Sequence, residues 1–160
     1  MQVRRIIIMS LGAAALVGMP ATLQQAVGQG KGPLVKYKVV DDDSIPKSLT
    51  GKPGDPKKGR KWVVNRKLGN CLACHILPVN QPYMGKIGPS LIGAGSRYNP
   101  GQLRLRVVNM KLLNGDTLMP GFYRVKGLKR VHKKFKGKTI LSAQQVEDIV
   151  AYLSALKEKK

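Results

Sequence analysis

The sequence predicts an all-α fold of three to four main helices, preceded by an irregular N-terminal extension. Three observations carry that prediction. Asp55-Pro56, Asn99-Pro100 and Ser142 each place a capping side chain before a run of helical character, and helices start where such side chains satisfy free backbone amides. The stretch from Ile76 to Ser96 is rich in Gly and Pro and keeps no sustained period, as a loop does. At 160 residues and 17.5 kDa the chain supports one modest core, and 5% aromatic residues beside 42% hydrophobic ones supply few large groups to fill it.

Arg4 and Arg5, followed by an apolar run from Ile6 to Val17 broken only by Ser10 and Gly12, have the form of a secretory signal. The run is shorter than the roughly 20 residues of a spanning helix. Pro20, Thr22, Gln24 and Gln25 end its apolar character, so residues 1–26 are read as a signal peptide cleaved near Ala21 or Ala26. Residues 27–50 carry Gly28, Gly30, Gly32, Pro33 and Pro46 around an apolar patch from Leu34 to Val40, and read as an irregular extension. Asp41-Asp42-Asp43 lacks the ordered ligand positions of a cation loop and reads as a solvated turn. Residues 51–160 form the domain.

The first helix is expected from Pro56 to about Lys67, capped by Asp55 and stopped by Gly69-Asn70, with Trp62 and Val63 facing inward. Gly59 costs roughly 1 kcal/mol relative to alanine inside a helix, so close approach of another helix is expected there. The second helix starts at Pro100, capped by Asn99 with Gln102 reaching back, and runs to about Lys111. Leu103, Val107 and Met110 share its apolar face, with Arg104 and Arg106 mostly away from it. Asn114-Gly115-Asp116 is a turn, and Pro120 and Gly121 keep the following chain irregular. The last helix is capped by Ser142, boxed by Gln145, stapled by Leu141 against Val146 and extends to about Lys157. Val146, Ile149, Val150, Leu153 and Leu156 make its stripe, Tyr152 lies at the edge, and Glu147 and Asp148 sit favourably near its start.

The formal charge is +21, from 29 Lys and Arg against 8 Asp and Glu, and it favours association with acidic surfaces. In an exported protein the candidates are acidic proteins, anionic lipid headgroups or small anions rather than nucleic acid. Between Arg124 and Lys138, eight of fifteen residues are Lys or Arg, which reads either as a solvated loop or as a docking patch.

Cys71-Leu72-Ala73-Cys74-His75 carries the chemistry. In this pattern each thiol adds to a haem vinyl and the histidine binds iron. A zinc finger needs four suitably spaced ligands, and the chain has two cysteines and two histidines, the second being the distant His132, which reads as a surface side chain. A thioredoxin-like dithiol wants a strand before it and a helix after it, whereas a Pro-rich loop follows here. One covalently bound haem c is therefore expected, and it would also supply the missing apolar bulk. His75 as iron ligand needs an acceptor for its other ring nitrogen, and the Pro89 carbonyl is the candidate. For the sixth ligand, Met110 belongs to the apolar stripe of a helix and Met84 is too soon after His75 to reach the opposite haem face readily. Met119, held by Pro120 in a loop, is favoured. A filled sixth position implies electron transfer and no catalytic residue on this chain.

The first helix, the haem motif, Gly88-Pro89, the middle helix, Met119-Pro120 and the amphipathic last helix resemble class I cytochromes c. That resemblance implies an all-helical domain around one haem, with first and last helices crossing at Gly59 and Tyr152. Gly54-Asp55-Pro56, Gly69-Asn70-Cys71-Leu72-Ala73-Cys74-His75, Gly88-Pro89-Ser90-Leu91, Met119-Pro120-Gly121-Phe122-Tyr123-Arg124-Val125 and Ile140-Leu141-Ser142-Ala143-Gln144-Gln145-Val146-Glu147-Asp148 resemble, more specifically, the SoxX family of monohaem subunits of SoxAX sulfur-oxidation cytochromes. The resemblance covers roughly Gly51 to Leu156. It implies a periplasmic partnership with a haem-bearing SoxA subunit, the SoxYZ carrier whose cysteine is joined to thiosulfate, and a downstream electron-accepting cytochrome. The chain would be the non-catalytic electron-transfer subunit of an L-cysteine S-thiosulfotransferase, with His75 and Met119 as ligands. A free-standing electron carrier docking acidic redox partners is the alternative. The extreme charge and the segment before Gly51 depart from the family pattern.

Overall fold

The computed structural model describes residues 34–158, so the signal-peptide reading of residues 1–26 lies outside the described residues. Among the described residues four α-helices carry the fold: α1 (Pro56–Val64), α2 (Ala94–Arg97), α3 (Pro100–Asn109) and α4 (Ala143–Ala155). Shorter 3-10 turns occupy Cys71–Ala73, Met110–Leu112 and Lys133–Phe135. Among the described residues, the only strand-like pairing is the isolated bridge between Val40 and Ser44, which closes the Asp41–Asp43 turn.

Helix α4 is the hub, packing against α1, α2 and α3. Its start follows from side-chain capping: Ser142 Oγ accepts Gln145 N at 3.2 Å and Gln145 Oε1 accepts Ser142 N at 2.8 Å. Leu141 and Val146 are both buried on either side of that cap, and Ile149, Val150 and Leu153 continue the buried stripe. Helix α3 repeats the capping box, with Asn99 and Gln102 exchanging two 3.0 Å bonds.

Helix α1 is capped by Asp55, whose carboxylate accepts Lys57 N and Lys58 N at 2.8 and 3.1 Å. It ends at Val64, three residues before the expected limit. Asn65 is the reason: its side chain accepts Lys67 N at 2.9 Å, and its carbonyl takes Leu68 N and Asn70 N, so a local turn replaces further helical bonds. A Cβ on Gly59 would collide with the Asp148 carbonyl and approach Tyr152 Cβ to 2.8 Å, so α1 and α4 cross at Gly59 and Tyr152 as expected.

A charged residue of α3 corrects the sequence reading. Arg104 does not face away: it is 6% exposed and grips Glu147 through Nε and Nη2 at 2.8 and 2.9 Å, while Nη1 donates to Ile45 O at 2.6 Å. Glu147 also accepts Leu49 N at 2.9 Å. Its neighbour Asp148 turns to α1, accepting Asp55 N at 2.9 Å and Trp62 Nε1 at 3.0 Å. These two carboxylates lie near the start of α4 as expected, and burial makes them tethers to α3, to the chain before α1 and to α1 as well. A third tether joins the chain before α1 to α3, through Ile45 N to Gly101 O at 3.0 Å and Gln102 Nε2 to Asp43 Oδ2 at 2.5 Å.

Two boundaries and one loop also differ. Helix α3 gives way to a 3-10 turn at Met110, which is only half-buried rather than part of a core stripe. Helix α4 stops at Ala155 because Leu156 O accepts Gly95 N at 2.9 Å and Glu158 N turns to Ser96 Oγ at 2.9 Å. Those bonds hold α2, a helical turn inside what the sequence presents as featureless loop.

Candidate functional site

Asn70 takes a left-handed conformation (φ 46°) and accepts Ala73 N at 3.0 Å, starting the 3-10 turn on which Cys71 and Cys74 sit. His75 N donates to Cys71 O at 2.9 Å, so two thiols and an imidazole are carried by one turn of backbone. The thiols are free of any disulfide. Burial pushes the Cys71 thiol up to about 12, although the residue as a whole is only partly covered.

The Gly- and Pro-rich chain that follows is laced back along the motif. Gly85 N donates to Leu72 O at 2.7 Å, Gly88 N to Cys74 O at 2.8 Å and Leu91 N to Ile76 O at 2.9 Å. This brings Pro89 O to 2.7 Å from His75 Nδ1. With Nδ1 as donor, Nε2 is left with its lone pair available. Gly88 lies against the face of the ring: a Cβ there would stand 2.7 Å from Nδ1 and 2.9 Å from Nε2. The sequence marks Gly88 as loop chain, and nothing in the pattern itself tells that a side chain would displace the imidazole.

The remaining candidates fall into different settings. Met84 Sδ accepts Leu77 N at 3.4 Å, which engages its sulfur. Met119 is partly buried against the core, and its amide donates to Thr117 Oγ1 at 3.2 Å. His132 is exposed and its Nδ1 accepts Lys134 N at 3.3 Å, capping the 3-10 turn of the lysine-rich segment. Among the described residues no group of three or more His, Cys, Asp or Glu is assembled for a bare metal ion.

The donor set fits haem c. Cys71 and Cys74 offer two adjacent thiols, His75 offers an imidazole fixed through its far nitrogen, and glycine at 88 keeps that ring's face clear. A cleft of about 580 Å³, bounded by Tyr37, Asn109, Lys111, Tyr123 and Arg124, contains none of the Cys-x-x-Cys-His residues.

Residues 56–157 match the family model for cytochrome c. A chain in the crystal structure of SoxXA from P. pantotrophus is 42% identical, with a TM-score of 0.69, and the match covers 75% of this chain and 94% of that one. No curated protein sequence matches the chain.

Proposed function

The chain belongs to the cytochrome c family, and from that premise we propose that it is the electron-transfer subunit of a periplasmic SoxAX-type complex. The observation that carries this reading is the 42% identity across 94% of a SoxXA chain, far beyond what a shared haem motif requires. The partner is a SoxA-like haem subunit, which holds the sulfur chemistry. Joining thiosulfate to the cysteine thiol of a SoxYZ carrier forms a sulfur–sulfur bond and releases two electrons and one proton. One covalently bound haem, implied by the single Cys-x-x-Cys-His motif, supplies a one-electron redox centre. The chain then takes those electrons singly from its partner and delivers them to a downstream cytochrome.

The residues have distinct tasks in that relay. Cys71 and Cys74 would hold the haem covalently and His75 would bind its iron, with Nε2 the nitrogen left free. The 2.7 Å contact supports Pro89 O as the acceptor that orients the imidazole and raises its basicity. Met119 supplies the sixth ligand; the engagement of Met84 Sδ by Leu77 N favours it over the nearer methionine. A thioether ligand would raise the reduction potential, and His75 and Met119 together would leave the iron no open position for substrate. Export agrees with covalent haem, and among the described residues no helix is long and apolar enough to cross a membrane.

Purification from the native source with a haem stain tests the assignment. Stable co-elution with a second haem protein supports a subunit, whereas a monomer at every salt concentration favours the free-standing carrier.

A further inference from the structure

We propose that Lys111 is a positioning residue for the Met119 thioether, an inference that rests on Met119 being the sixth ligand. The Lys111 ammonium donates to Thr117 O at 2.8 Å and to Gly115 O at 3.0 Å. Thr117 is also the residue that holds Met119, its hydroxyl accepting the Met119 amide. One cation thus closes the turn from 111 to 117, and the last residue of that turn fixes the backbone of the ligand. On the far side the chain is pinned again, by Tyr123 N to Val108 O at 3.1 Å and by Ile140 N and Leu141 N to Phe122 O at 3.0 and 3.1 Å. Met119 is the half-buried residue of the span between these anchors, flanked by exposed Leu118 and Pro120.

The near anchor needs a tether more than the far one does. Gly115 meets nothing within 4 Å of a built Cβ, so the turn crosses open space with the residue type that loses most freedom on ordering. Leu113 N and Asn114 N bond back to Met110 O at 3.0 Å each, and beyond them the turn is held by Thr117 N to Asn114 O at 3.2 Å and by Asp116 N to the Asn114 side chain at 3.0 Å. A lysine has three donors on a long stem and can satisfy two carbonyls at once, and charge-assisted bonds are stronger than neutral ones. Opening this turn is the motion by which an external ligand gains access to the position Met119 holds.

The test is an imidazole titration of the oxidised, haem-loaded full chain, followed in the visible spectrum. Lys111→Met and Lys111→Gln are expected to raise imidazole affinity roughly 3- to 10-fold, the range that loss of such bonds at a local opening gives. Lys111→Arg keeps donors for both carbonyls and returns the affinity close to wild type. Met119→Ala runs in parallel and loses the near-infrared methionine-to-iron band. If Met119→Ala keeps that band, the ligand reading fails and the role of Lys111 fails with it. If the band is lost but both Lys111 variants bind imidazole as wild type does, or if Lys111→Arg weakens the loop as much as Lys111→Met, the Lys111 proposal alone is overturned.

Discussion

Replacing Gly88 by alanine probes whether the loop after the haem motif sets the redox property of the site. A Cβ built there stands 2.7 Å from His75 Nδ1 and 2.9 Å from Nε2. Carbon contacts relax near 3.5 Å, so the imidazole or the Gly88-Pro89 backbone must move by roughly 1 Å. The bond from Nδ1 to Pro89 O is 2.7 Å long. A displacement of that order carries it to about 3.6 Å, where no hydrogen bond remains. Only the difference between the bond's worth in the oxidised and in the reduced state moves the potential, so a full worth of about 1 kcal/mol net sets a ceiling of about 40 mV on the shift, 59 mV being a tenfold change for one electron. The direction is upward, because an imidazole without its acceptor is a less basic ligand and stabilises the oxidised iron less. Potentiometric titration of the haem absorbance measures it. Lys52→Ala, at an exposed position ahead of α1, is the control. An unchanged potential in Gly88→Ala, or an equal shift in Lys52→Ala, refutes the reasoning.

Three further outcomes concern the scaffold. Glu147→Ala leaves the Arg104 guanidinium, 7% exposed, without its carboxylate, and lowers folding stability by about 3–5 kcal/mol in chemical denaturation. Arg104→Met with Glu147→Leu recovers part of that loss, since Leu49 N and Ile45 O stay without their side-chain partners, and a coupling energy near zero in the cycle of Arg104→Met and Glu147→Leu contradicts the pairing. Gly59→Ala forces α1 off α4 and destabilises by at least about 2 kcal/mol, with Trp62 fluorescence changing as its bond to Asp148 is disturbed. The Asp55 carboxyl is held below its ordinary range chiefly by the Lys58 amide, aided by the Lys57 amide and both nearby ammonium groups. Its contribution is therefore complete above about pH 4 and fades as pH falls through the folded-state value. The acid limb of a melting-temperature profile becomes shallower in Asp55→Asn; an unaltered limb removes Asp55 as a contributor.

Helix starts were legible in the sequence because capping is local chemistry: Asp55, Asn99 and Ser142 each satisfy amides two or three residues away. Helix ends were less so. Asn65 competes through its own side chain, and Leu156 is recruited by a carbonyl-to-amide bond from a helix some sixty residues earlier, which no local pattern announces. The roles of Arg104, Glu147 and Asp148 were hidden for the same reason. Helical periodicity assigns charged side chains to solvent, and their burial depends on partners at Ile45, Leu49, Asp55 and Trp62 that only the tertiary fold brings close. At the site, the haem motif was legible from residue type and spacing. The approach of Pro89 O to His75 follows from three backbone bonds between loop and motif, and the grip of Lys111 on its turn left no trace in composition.

The adjacent carboxylates of Glu147 and Asp148 also order events in time. They bond to groups 98, 93 and 86 residues earlier, at Leu49, Asp55 and Trp62, so the first helix lacks its principal partner until the last has been synthesised. Contacts of such sequence separation form late. If the chain is exported N-terminus first, as the proposed function requires, Cys71 and Cys74 would cross before α4 can close on α1. Closure awaits the arrival of residues 142–155. A chain truncated before Ser142 should keep Trp62 in a solvent-like fluorescence environment while its thiols stay reactive, and protection of either would show that the motif folds without its C-terminal latch.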